Sequence, residues 1–248
     1  MCNSISCTHA QPVSRRRFLR SSAALALALT ASAGIGGLAS PTAQAKGLPK
    51  PDNDLSPDAA IQRLIEGNQR YVSGVRLRHN FAHERQALAG GQNPYAAILG
   101  CADSRVAPEY AFDSARGDLF VARVAGNFAN DDMLGSLEYA VAVLEVPAIL
   151  VLGHEKCGAV GSAVKAVKDH AQFPGHIQSL VTALIPAVQQ AGVNRAGLLD
   201  AAIEQNVRNS MADLTARSDI IAQAQQAGKL KIAGGIYRLD TGKVDFLI

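Results

Sequence analysis

Two periods of apolar residues alternate along residues 56–248. In SPDAAIQRLIEGNQRYVSG, Ile61, Leu64, Ile65 and Tyr71 fall near one face of a 3.6-residue repeat, with Ser56 placed to cap the helix and Pro57 suited to its first turn. FAHERQALAGG predicts a second helix, stopped by Gly90 and Gly91. The pattern then changes. YAAILGC (Tyr95–Cys101), GDLFVARVAGN (Gly117–Asn127) and VPAILVLGH (Val146–His154) are short, nearly continuous apolar runs that predict buried strands. Between and after them, DDMLGSLEYAVAVLE and GAVGSAVKAVKDH have helical spacing, and two or three more helices are expected across residues 176–227. KLKIAGGIYRL and KVDFLI, separated by the turn DTGK, predict a closing β-hairpin.

Strands alternating with helices imply an α/β fold: a mainly parallel central sheet flanked by helices, preceded by an N-terminal helical arm and ended by the hairpin. Such sheets bind ligands outside the carboxyl ends of their strands, where the strand order reverses. Cys101 ends one predicted strand, and His154 and Cys157 lie at and just beyond the end of another. If those two strands are neighbours, the three side chains converge where this architecture places its chemistry.

The first 45 residues follow neither period. SRRRFLR (Ser14–Arg20) precedes a short apolar stretch rich in Ala and Gly, and AQA (Ala43–Ala45) supplies small residues for cleavage. A basic segment, a short apolar segment and an A-x-A site predict a secretory signal peptide over 1–45, cleaved after Ala45. Paired arginines before Phe18 and Leu19 match the twin-arginine address, so the expected partner is the twin-arginine export machinery and the expected destination the periplasm. Residues 46–55, polar with two prolines, are expected to form a linker or arm, and 56–248 one domain.

Removing the leader alters the charge. It holds Arg15, Arg16, Arg17 and Arg20 and no acid, so 24 basic residues fall to 20 against 21 acidic ones. The basic excess thus belongs to the leader. The mature form loses compositional support for nucleic acid or anionic membrane as a partner, and no stable membrane span is expected in it.

Cys2 and Cys7 also leave with the leader, so Cys101 and Cys157 are the only mature cysteines. In an exported protein a cysteine pair first suggests a disulfide. A disulfide alone gives no role to His154 or to the CADSR segment. Thiolate and imidazole together suit zinc, and a catalytic zinc site keeps one position for water. The His154–Cys157 spacing suits a turn entering a helix, whose N-terminus favours a thiolate. In CADSR, Asp103 is placed to be a fourth ligand or to accept a hydrogen bond from water on the metal, and Arg105 to hold that carboxylate ionised in a bidentate fork. His79, His83, His170 and His176 are read as solvated surface residues.

Taken together, GQNPYAAILGCADSRVAPE, DLFVARVAGN, GSLEYAVAVL and LGHEKCGAV closely resemble the β-class carbonic anhydrases, in the order and strand context of that family. The resemblance runs from about residue 56 to the terminal GGIYRLDTGKVDFL, and VAGN resembles a bacterial subset. It implies one Zn²⁺ per subunit on Cys101, His154 and Cys157, with Asp103 and Arg105 as the catalytic dyad. In some members the matching aspartate also closes onto the metal. It further implies Gln92 as hydrogen-bond partner of bicarbonate, Phe120 and Tyr139 as apolar walls, and Gly158 as a small residue leaving room beside the site. The implied reaction is reversible hydration of carbon dioxide to bicarbonate and a proton, with zinc-held hydroxide as nucleophile. The implied assembly is a homodimer or homotetramer with sites at the dimer interface and N-terminal helices embracing the second subunit. Hydrolysis of carbon disulfide or carbonyl sulfide on the same scaffold is the alternative, and a non-catalytic zinc or redox protein a more distant one. Glu155 and Lys156 stand where small or hydroxyl residues are common in the family, and are expected to form a local pair facing solvent. The chain has no Trp, so the Trp-containing second bicarbonate site of some members is not expected.

Overall fold

In the computed structural model, residues 53–78 and 80–247 are described. The predicted signal peptide and most of the predicted linker lie outside them. The last linker residues do not run free: Asn53 is buried and donates to the Asn93 carbonyl at 2.7 Å and to Asp118 at 3.1 Å, while Arg63 donates to its side-chain oxygen at 2.6 Å.

Helix α1 (Pro57–Val72) starts as the sequence predicts, with Ser56 Oγ accepting from the Ala59 N–H at 3.2 Å. Its inward face carries Ala60, Ile61, Leu64, Gly67 and Asn68. Gly67 permits the closest crossing, because a Cβ there would overlap the Phe112 carbonyl. Helix α2 (Phe81–Leu88) leads to the first strand, β1 (Ala96–Gly100), which is fully buried. A short helix, α3 (Pro108–Ala111), follows. So few residues carry no helical period, and only Pro108 at its first position marks it.

Strand β2 (Leu119–Arg123) is shorter than expected. VAGN does not extend it: Gly126 (φ 89°) and Asn127 (φ 43°) turn into the left-handed region, which ends the extended backbone. Helix α4 (Asp131–Ala142) begins at Asn130, whose side chain accepts from the Met133 N–H at 2.9 Å, with two aspartates in the first turn against the positive dipole end. Strand β3 (Ala148–His154) is buried throughout. Four helices follow: α5 (Gly158–Asp169), α6 (Ile177–Ala191), α7 (Leu198–Ala216) and α8 (Asp219–Gln226). The chain closes with β4 (Lys231–Tyr237) and β5 (Val244–Leu247).

The strands lie in the order β2-β1-β3-β4-β5, parallel through β4, with β4 and β5 forming the predicted antiparallel hairpin. Helices cover both faces, which explains the continuously apolar strands. Ala97 and Leu99 join Ile149 and Val151 in the core beneath α4–α8, whereas Ala96 and Ile98 join Ala148 and Leu150 in the core beneath α1. Buried Asn68 ties α1 to the hairpin turn, donating to the Gly242 carbonyl at 2.9 Å and accepting from the Val244 N–H at 2.8 Å. Among the described residues no helix is long and apolar enough to cross a membrane.

The strand order reverses beside β1, with β2 on one side and β3 on the other. The two strands that carry the candidate ligands are therefore direct neighbours, with Gly100 in register with Leu152.

Candidate metal centre

Cys101 follows the last residue of β1, His154 ends β3, and Cys157 sits at the N-cap of α5. None is more than 4% exposed. One ligand atom from each lies within 4.8 Å of the other two. Both cysteines are free thiols, so the disulfide alternative does not describe this chain.

The imidazole is oriented for a metal. His154 Nδ1 lies 2.8 Å from the Glu155 carbonyl, an oxygen that can only accept, so Nδ1 carries the proton and Nε2 presents its lone pair. That Nε2 is buried and has no hydrogen-bond partner. A buried acceptor facing two thiols costs about 1–3 kcal/mol unless something binds it, and a zinc ion is the group this donor set fits. Cys101 Sγ accepts from the Gly126 N–H at 3.3 Å. A hydrogen bond from the Cys157 thiol pulls the Cys101 thiol below its ordinary range against the cost of burial, with His154 and Gly126 assisting. The Cys157 thiol is pushed up in turn, because its proton is shared with Cys101 and its surroundings are buried. A zinc ion held here would take both sulfurs as thiolates, since a thiol must lose its proton to ligate a metal.

Asp103 stands at the edge of this group, with Oδ2 3.9 Å from His154 Nε2. Arg105 forms the predicted fork, Nε to Oδ1 at 2.9 Å and Nη2 to Oδ2 at 2.8 Å, and its backbone N–H also donates to Oδ1 at 2.9 Å. These bonds hold the Asp103 carboxyl well below the usual carboxylate range. The converging ligand atoms come from Cys101, His154 and Cys157. Asp103, expected as a possible fourth ligand or as a hydrogen-bond acceptor, is outside that set, its carboxylate held by Arg105 with Oδ2 3.9 Å from His154 Nε2.

The predicted pocket residues are not gathered with the ligands. Gln92 is exposed and precedes β1, whereas Cys101 follows it. They stand at opposite ends of a strand about 17 Å long, at ~3.3 Å per residue. Phe120 pairs with Ala97 near the start of β2 and meets Tyr139 of α4, ring centroids 6.4 Å apart. Gly158 is beside the ligands, at the first turn of α5, where a Cβ would meet nothing within 4 Å. His83, His170 and His176 are exposed, as read from the sequence, and His79 lies outside the described residues.

The expectation for Glu155 and Lys156 is corrected in part. Lys156 is exposed, in the left-handed region at φ 52°. Glu155 does not pair with it. Its carboxylate accepts from Arg238 at 3.0 Å and from the Leu239 N–H at 3.1 Å, and its own N–H donates to the Tyr237 carbonyl at 3.0 Å. The turn between His154 and Cys157 is thereby tied to the C-terminal hairpin, nearly the last segment of the chain.

Arg123 was missed from the sequence. From the end of β2 it donates to the carbonyls of Cys101 at 2.8 Å, Asp103 at 2.7 Å and Val106 at 2.8 Å, clamping the loop that carries both the ligand and the dyad. A lone arginine at the carboxyl end of an apolar strand was the available signal.

A parallel sheet that presents three convergent soft and borderline ligands at its switch point, beside an ionised carboxylate, defines a metal centre of the catalytic kind, since a structural zinc would claim four. Residues 96–244 match the family model for carbonic anhydrase. The chain is 43% identical over 192 residues to carbonic anhydrase 2 of Mycobacterium tuberculosis, spanning 77% of this chain and 92% of that one. It is 41% identical over 194 residues to a carbonic anhydrase of Mycolicibacterium smegmatis, spanning 77% and 93%. Among solved structures, the β-carbonic anhydrase CcaA is similar at a TM-score of 0.61 and 30% identity, over 76% of this chain and 92% of that chain. The chain belongs to the carbonic anhydrase family, in its β class.

Proposed function

We propose that this protein catalyses the reversible hydration of carbon dioxide to bicarbonate, with one zinc ion held by Cys101, His154 and Cys157. The observation that carries the reading is the unpartnered, buried Nε2 of His154 facing two free thiols beside the Arg105-held carboxylate of Asp103. When bound, zinc supplies Lewis acidity that brings the ionisation of water toward ~pH 7. Two thiolates largely neutralise the dication, so the protein's own groups have more orienting to do than around three neutral histidines. Asp103, kept ionised by Arg105, accepts a hydrogen bond from water in the site and fixes the direction of its lone pair. Arg105 is half exposed, with its side chain 52% accessible, so the dyad stands at the solvent edge of the site. Gly158, exposed beside the ligands with nothing within 4 Å of where a Cβ would stand, leaves the approach to the site unobstructed on that side.

Gln92, Phe120 and Tyr139 cannot line this pocket from within one chain, since Gln92 stands at the other end of β1. A homodimer, or a tetramer built from dimers, brings them to the site of a second copy, which gives exposed Tyr139 a buried role. Export by the twin-arginine route, with cleavage after Ala45, completes the reading. A chain that folds before export loads zinc while its thiols are still in a reducing compartment.

Stopped-flow hydration of carbon dioxide, before and after chelation and again after zinc repletion, tests the activity. The expected result is rapid turnover that chelation abolishes and zinc restores. Hydrolysis of carbon disulfide or carbonyl sulfide without carbon dioxide hydration would overturn it. Fractionating cells that express the native chain and the Arg16→Lys, Arg17→Lys double variant tests the route, with export expected for the native chain alone.

A further inference from the structure

The buried face of α7 contains a polar interruption. Ile203, Asn206, Val207 and Ser210 follow one another at helical spacing, each at most 3% exposed. The two apolar members fill space against β3: a Cβ on Gly153, the neighbour of His154, would lie 2.7 Å from Val207 and 3.7 Å from Ile203. The two polar members reach the other ligand-bearing segment. Asn206 Nδ2 donates to the Gly126 carbonyl at 2.7 Å, and Ser210 Oγ donates to the Asn127 carbonyl at 3.1 Å. These are consecutive carbonyls of the turn whose Gly126 N–H points at Cys101 Sγ, 3.3 Å away. The turn is also joined to the ligand strand by Val124 N–H to the Gly100 carbonyl at 3.1 Å and Ala102 N–H to the Val124 carbonyl at 3.3 Å.

VAGN closes its own turn, Asn127 N–H donating to the Val124 carbonyl at 2.9 Å, with Gly126 and Asn127 in the left-handed region that these residue types tolerate best. That bond shapes the turn but does not set where it sits against the ligand strand. Gly126 is also crowded, since a Cβ there would lie 2.7 Å from Leu184 of α6. The grip on its carbonyls comes from two α7 side chains 80 and 83 residues further along the chain.

We propose that Asn206, assisted by Ser210, is a positioning residue of the metal centre. It holds the Gly126–Asn127 turn so that the Gly126 N–H donates to the Cys101 sulfur when that sulfur is a zinc ligand. The proposal rests on the zinc reading above. An N–H donated to a metal-bound thiolate withdraws electron density from sulfur, which leaves the ion more Lewis acidic, and it fixes the sulfur's direction. Partners that orient ligands in this way cost on the order of 10–100-fold in metal affinity when removed.

The test uses the full chain loaded with Co²⁺ in place of zinc, read by the thiolate-to-cobalt charge-transfer band and by zinc affinity in competition with a chelator. Asn206→Leu removes the donor at nearly constant size. Leu214→Ala, eight residues further along α7 and fully buried, damages the same helix without touching the turn. The expected result is a shifted charge-transfer band and about tenfold weaker zinc binding in N206L. L214A, although it melts earlier than wild type, keeps the wild-type band and affinity. Ser210→Ala gives the same shift at smaller amplitude and carries the test if N206L does not fold. A wild-type band and affinity in N206L, or in S210A should N206L fail to fold, overturns the proposal. A wild-type chain that shows no thiolate-to-cobalt band overturns the zinc reading instead.

Discussion

At the carboxyl end of β1 and β3, Cys101, His154 and Cys157 are at most 4% exposed, and Cys101 Sγ and His154 Nδ1 are each held by a backbone group of this chain. At the amino end of the same sheet, Gln92 is exposed and Tyr139 is 48% exposed, its ring beside the half-buried Phe120. One end is finished by folding. The other is a prepared surface. The difference teaches that a single subunit brings the metal-ligand residues and the dyad together without gathering Gln92, Phe120 and Tyr139 beside them.

The ligand end should break completely. His154→Ala is expected to lose bound zinc and to reduce carbon dioxide hydration to the chelated baseline, checked by metal analysis alongside stopped-flow rates. Next in size, Asp103→Asn should keep its zinc and lose roughly 10²–10³-fold in turnover, the range for one lost preorganised hydrogen-bonding group. Arg105→Ala should follow the same direction. Wild-type rates in either metal-loaded variant would remove the dyad from the reaction.

The amino end should break only in trans. Gln92→Ala keeps its ligands but is expected to lose about tenfold or more in rate, the effect of one lost hydrogen bond to a substrate in a dry site. Mixing Q92A with H154A and allowing subunit exchange should then recover activity that neither has alone, because one hybrid site combines intact ligands with an intact Gln92. No recovery in exchanged mixtures would place Gln92 outside the partner's site.

The smallest effect concerns the hairpin that backs Glu155. Lys243 and Arg238 hold the Asp245 carboxyl below its ordinary value. A depressed folded pKa gives stability that is present above the unfolded value, near 3.9, and is lost as pH falls through the lower folded one. Wild type should therefore lose part of its margin over Asp245→Asn as melts are taken below about pH 4. The margin should be small, since the pair is open to solvent. A constant margin across the range would show that the ion pair contributes nothing.

Much of this was legible because it was local or periodic. The capped start of α1, the apolar strands and the hairpin follow from spacing alone. The approach of Cys101 to His154 and Cys157 required only that the two strands be neighbours. The Asp103–Arg105 fork lies within three consecutive residues. What could not be read involved partners far along the chain. Glu155 looked solvated beside Lys156 until β4 placed Arg238 against it. VAGN was read as a continuation of the strand, although Gly126 and Asn127 suit the left-handed turn they form; what only the fold adds is the contact from α6 and α7 that packs that turn against the ligand strand. Arg123 read as an ordinary strand end until the loop carbonyls of Cys101, Asp103 and Val106 closed around it.

The sequence by itself determined the type of fold, the identity of the metal ligands and the chemistry they suit. Those follow from residue type, from the apolar periods and from motifs in the order of a known family, all of which survive in one dimension. Only the tertiary structure decided which way each ligand is held, where Asp103 spends its hydrogen bonds, and that Gln92 faces away from its own chain's metal centre. Those depend on crossing elements, where a buried polar group must take whatever partner the fold brings to it.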